Sequence, residues 1–175
     1  MGLTAGAALE TLEKRVGYGF PRLATLHHRR PVIALGTVLG DQLDPKQSVL
    51  GLEAKCLAGL VYAEQNESST LKVEMRQLLA TFAPNLAPLT TEELCSFARK
   101  PTQDLQAPSL SEVAKAAAIL AKHAGSSPAR ISQADIATLT QALSPAQIIE
   151  TLAWLGVLQL MHRLYVFGPT LGCLN

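Results

Sequence analysis

Few residues in this chain are spaced to do chemistry together. There are three cysteines, Cys56, Cys95 and Cys173, with no C-x-x-C pair and no metal-ligand spacing among them. Reduced thiols in a cytoplasm are the simplest account of that odd number. Cys56 lies one turn after Glu53 on an apolar stretch. Two readings of it stay open, a lone redox-active thiol and a buried thiol acting as a small hydrophobe, and the second asks for less. Glu53 is open in the same way, as a general base or ligand-binding acid, or as a helix carboxylate paired with a lysine. Ser68 as a nucleophile needs a neighbouring base, and the local sequence offers none, whereas a helix cap needs only its hydroxyl. His123 ends a helix, and His162-Arg163 lies near the end of another. Neither histidine has a ligand partner three or four residues away, so no metal site is expected. The basic run His27-His28-Arg29-Arg30 before Pro31 reads as a solvated loop, because an anion site also needs a helix N-terminus or nest aimed at the ligand.

The elements that must position these residues are all helical. Thr4 precedes a periodic run of Leu9, Leu12 and Val16, stopped by Gly17 and Gly19. Pro31 opens a second helix through Leu43. Asp44-Pro45 supplies an N-cap and an N1 proline for a long apolar helix to about Ala63. After a polar break from Glu64 to Thr70, Ser68 or Ser69 caps a helix from Leu71 to Phe82. Residues 83–89 and 101–108 hold prolines and read as loops, with a capping box at Thr90-Thr91-Glu92-Glu93 opening a short helix to Arg99 between them. Ser111 caps a helix through His123, and Ser132 with Asp135 starts another to Ala142. Ser144-Pro145-Ala146-Gln147 combines N-cap, N1 proline and N3 glutamine for a last helix reaching Tyr165. No segment alternates like a strand. The expectation is an all-α bundle of about eight helices.

Composition narrows the function classes. Of 175 residues, 48% are apolar and 17% charged, enough for a sizeable core with apolar surface left for a subunit interface. Aromatics make up only 5%, so leucine and alanine must do most of the packing. A formal charge of +1 leaves no electrostatic footprint for nucleic acid. The N-terminus lacks the basic and apolar regions of a signal peptide. The most apolar window, Ile148 to Leu160, is interrupted by Glu150 and is too short to span a membrane. One domain over 1–175, or two short helical repeats sharing a core, is expected in the cytoplasm.

The second half carries a pattern. Ala117-Ala118-Ile119-Leu120-Ala121 precedes Pro128, and then come Ile131-Ser132-Gln133-Ala134-Asp135-Ile136, Leu143-Ser144-Pro145-Ala146-Gln147-Ile148-Ile149 and Met161-His162-Arg163-Leu164. The first half adds Tyr18-Gly19-Phe20-Pro21 and Leu52-Glu53 more weakly. This resembles the AhpD-like superfamily, the alkyl hydroperoxidase D and carboxymuconolactone decarboxylase relatives. The resemblance implies an AhpD-like helical bundle, thiol-dependent peroxide reduction, no cofactor or metal, and homo-oligomers such as trimers or hexamers.

The superfamily's signature is a glutamate, eleven residues, C-x-x-C, three residues and a histidine. In it one thiol is activated through the glutamate–histidine relay and the other resolves its oxidised form. Counting from Glu53 puts Gln65 and Ser68 at the cysteine positions and Lys72 at the histidine. Neither Gln65 nor Ser68 can form a thiolate, so the resemblance implies a kept scaffold without the thiol chemistry, working by binding or assembly. An ion pair between Glu53 and Lys72 across two helices is expected in place of the relay. The alternative is a non-thiol enzyme of the decarboxylase-like branch, with Glu53, Lys72 and Cys56 lining a helical pocket for a small-molecule ligand.

Overall fold

A computed structural model describes residues 4–25, 29–84, 110–126 and 129–170. Among these residues the secondary structure is helical throughout, with eight helices and no strand. The all-α class follows from sequence as expected. The short helix foreseen at Thr91–Arg99 lies outside the described residues, and so do Cys95, Cys173, His27 and His28. Contacts divide the chain into two compact units, one within Met1–Ser48 and Gln159–Asn175 and one within Val49–Leu158.

In the first unit, α1 (Ala5–Val16) starts on Thr4, whose Oγ1 accepts the Ala7 N–H at 3.1 Å. It buries Ala8, Leu12 and Val16, spaced by four, and stops at Gly17, whose φ of 74° is costly for residues with a Cβ. A single turn, α2 (Pro21–Ala24), follows the fully buried Phe20. The 14-residue α3 (Arg29–Gln42) lays Val32, Leu35 and Leu39 inward against α1. Arg15 of α1 reaches Asp41 at 3.3 Å and Asp44 at 2.6 Å.

In the second unit, α4 (Leu52–Gln65) is buried on every side from Ala54 to Glu64. It packs on α5 (Ser69–Phe82) through Leu71, Met75, Leu78 and Leu79, and on α6 (Glu112–Gly125), whose Ala114, Ala117, Ala118 and Ala121 are buried. Small side chains on α6 let the two axes approach closely. At Gly59 a Cβ would lie 2.5 Å from Met75 Sδ and 3.2 Å from a Leu158 methyl, so glycine is what permits that approach. A lighter helix, α7 (Gln133–Ala142), packs on α6 and buries only Leu139. The last helix, α8 (Pro145–Thr170), contributes Trp154, Leu155 and Leu158 to this unit, and its later turns, with Met161 and Tyr165, belong to the first.

Three expected boundaries are corrected: Arg29 and Arg30, expected in a loop before Pro31, are the first residues of α3, and α8 runs past Tyr165 to Thr170. Asp44-Pro45 does not open α4. The Asp44 carbonyl accepts the N–H groups of Gln47 and Ser48, closing a turn, and the helix begins only after Gly51 at φ 88°. The reason is a competing acceptor. The Val49 and Leu50 N–H groups donate to Glu150 Oε2 at 2.9 and 2.7 Å instead of joining a helical ladder.

Candidate functional site

The positions matched to the superfamily signature fall in two separate places on one helical hairpin. Gln65, Ser68 and Lys72 lie together where α4 turns into α5. Gln65 Nε2 donates to the Lys122 carbonyl at 2.6 Å, and its Oε1 packs on Gly125, so this side chain docks the end of α4 on the end of α6. Ser68 is the N-cap residue of α5 and is buried, yet its hydroxyl makes no capping bond. Its N–H instead donates to the Ala63 carbonyl at 2.9 Å.

Lys72 pairs with Glu64 at 2.8 Å, and the Glu64 side chain is fully buried. The pair expected between Lys72 and Glu53 is therefore absent, for a geometric reason. α4 and α5 form an antiparallel hairpin in which Glu64 meets Lys72 and Gly59 meets Met75. Glu53 is eleven residues before Glu64, about 16 Å along the axis at 1.5 Å per residue. It occupies the first turn of α4, where a carboxylate interacts favourably with the helix N-terminus. One of its oxygens, Oε1, is buried without a hydrogen-bond partner.

Cys56 lies between these places with no exposed surface. Burial pushes its thiol up to about 12, against a smaller opposing pull from Lys55. A thiol in that state holds almost no thiolate at neutral pH, and the thiolate is the reactive form.

Two groups absent from the motif reading form the most strongly built polar site. Lys55, fully buried, meets Glu150 of α8 at 2.6 Å. The other Glu150 oxygen holds the Val49 and Leu50 N–H groups, and Gln147 Nε2 donates to the Val49 carbonyl at 3.1 Å. Trp154 Nε1 donates to the Lys55 carbonyl at 2.8 Å. The first three turns of α8 thus fasten the entry to α4. Burial pushes Lys55 below its ordinary range, and the bond to Glu150 opposes that shift. The available signal was Lys55, two residues after Glu53 at the start of an apolar helical run, and Glu150, inside another.

A third cluster joins α6 to α7. His123 Nε2 lies 3.0 Å from Asp135 Oδ2, and the same oxygen accepts a hydrogen bond from Ser132 Oγ at 2.5 Å. These are the residue types of a nucleophilic triad in an unproductive order. The carboxylate stands between serine and histidine, so the imidazole has no access to the serine proton. Among the described residues, no group of three His, Cys, Asp or Glu side chains is placed to hold a metal ion. Nor is any described helix long and apolar enough to cross a membrane.

Comparison of the chain with protein-family models, curated proteins and solved structures found no match. The likeness to AhpD-like proteins accordingly rests on the sequence pattern.

Proposed function

We propose that this chain works by assembly with copies of itself on an AhpD-like helical scaffold, in a cytoplasm and without thiol-peroxidase chemistry. The observation that carries the reading is the apolar surface left in water along α8. In the second unit, Ile149 is 68% exposed and Leu152 47%, while Thr151, Trp154 and Leu155 of the same turns are buried. In the first unit, Phe167 is 57% exposed beside the buried Tyr165. Apolar surface grouped in this way is what a subunit interface covers.

Support for lost chemistry comes from the hairpin. Gln65 is bonded to the Lys122 carbonyl, Lys72 is paired with Glu64, and the Cys56 thiol is sealed in the core. The alternative, an enzyme using Glu53 and Lys72 in one pocket, draws no support from a hairpin that pairs Lys72 with Glu64.

Light scattering after size-exclusion chromatography tests the assembly. A trimer or hexamer is expected for the native chain, and Ile149→Glu with Leu152→Glu should dissociate it without loss of helix signal. A monomer at tens of micromolar overturns the assembly reading. Peroxide consumption with a dithiol reductant overturns the chemical half.

A further inference from the structure

α8 is a single 26-residue helix with apolar side chains on both sides. Trp154, Leu158, Met161 and Tyr165 on one side are buried. On the other, Ile149, Leu152, Gly156, Leu160, Arg163 and Phe167 are exposed and recur at helical spacing, within about 40° of one line along the helix. A helix that is hydrophobic all round is ordinarily covered all round. Gly156 stands at the centre of this line, and a Cβ there would meet no described residue within 4 Å. Glycine inside a helix is destabilising relative to alanine, and here no close approach within the chain accounts for it. The close approach of a helix from outside the chain does.

The residues around Gly156 also complement themselves. Leu152 and Leu160 lie four residues to either side, with Ile149 and Phe167 farther out towards the two ends. We propose that α8 of a second copy covers this face, antiparallel and related by a two-fold axis at Gly156. The proposal rests on the assembly reading above and names the contact that builds it. Leu152 of each copy then meets Leu160 of the other. Arg163 is the one charged residue on the line. Antiparallel pairing keeps its two copies about 21 Å apart along the helices, beyond the screening length of about 8 Å, and opposes the helix dipoles. Parallel pairing would set the two arginines side by side. Ile149, Leu152, Leu160, Val166 and Phe167 from two copies offer on the order of 1,000 Å² of exposed apolar side chain, about where specific interfaces begin. Of a trimer and a hexamer, only the hexamer contains a two-fold axis.

Cysteine cross-linking in a chain carrying Cys95→Ser and Cys173→Ser tests the pairing. Gly156→Cys sets two thiols across the axis, and mild oxidation should convert most of the protein to covalent dimers. Arg163→Cys, on the same line, should stay unlinked. Gly156→Leu fills open space within its own chain, so its helix signal should match the native one, while its dissociation constant should rise about tenfold or more. Light scattering separates this proposal from the reading beneath it. A trimer without linkage at 156 overturns the two-fold pairing and leaves assembly standing, whereas a monomeric native chain overturns both. The pairing is also overturned by an even-numbered assembly unlinked at 156, by equal linkage at 163, or by Gly156→Leu associating as tightly as the native chain.

Discussion

Removing the Lys55 ammonium while keeping its length, as in Lys55→Met, tests whether the site that fastens α8 to α4 is held together by charge. The carboxylate left behind is 15% exposed and still accepts the Val49 and Leu50 N–H groups. Breaking one side of a buried ion pair costs about 3–5 kcal/mol, and these two donors place Lys55→Met near about 3 kcal/mol. Glu150→Ala should cost more, near about 5 kcal/mol, because it strands a fully buried ammonium and takes the acceptor from two backbone donors. In a chain of this size each kcal/mol moves the midpoint by roughly 2–4 °C, so Lys55→Met should melt about 6–12 °C below the native chain. The double variant Lys55→Met with Glu150→Gln should recover most of the loss. It removes the buried charge whose desolvation already outweighs the ion pair at Lys55, and it keeps an acceptor for the two N–H groups. Urea and thermal unfolding followed by far-ultraviolet circular dichroism measure all four proteins. The reasoning is refuted if Lys55→Met is within about 0.5 kcal/mol of native, or if the double variant is no more stable than Lys55→Met.

Two further outcomes follow from the cited shifts. The Asp44 carboxyl is held below its ordinary value of 3.8, first by the Lys46 N–H and then by Arg15. A depressed acid contributes stability above its unfolded value and loses it as pH falls through the folded one. Acid unfolding monitored below about pH 4 should therefore be shallower in Asp44→Asn than in the native chain. In a chain carrying Cys95→Ser and Cys173→Ser, the Cys56 thiol, at about 12, should resist a thiol-reactive dye at pH 8 and react only on unfolding. Rapid labelling of the folded chain would contradict its burial.

Much of the fold was legible because helix starts are local events. Thr4, Ser111 and Ser132 each accept an N–H three residues on, at 3.1, 3.2 and 3.1 Å. Ser144 and Gln147 exchange a reciprocal pair at 3.3 and 2.9 Å. Every one of these contacts lies within four residues of sequence, so residue type and spacing were enough to place them. The candidate site was less legible. The signature register located Gln65, Ser68 and Lys72 as a group at a helix turn, and it paired Lys72 with a carboxylate on the wrong turn of α4. Lys55 carries no motif, and Glu150 was visible only as an interruption of an apolar window.

The absence of a C-x-x-C pair was settled by the sequence alone, since no fold can make one from Gln65 and Ser68. The helical class was equally local, written in caps and apolar periodicity. Tertiary structure decided which acceptor each competing donor takes. Asp44-Pro45 is a sound helix start by its own chemistry. Glu150, about a hundred residues further on, nevertheless captures the N–H groups of Val49 and Leu50 and delays α4 to Leu52. The register of the α4–α5 hairpin likewise gave Lys72 to Glu64, leaving Glu53 in the first turn of α4. Buried charges must find partners in space, and spatial neighbours are set by packing, which residue spacing along the chain does not encode.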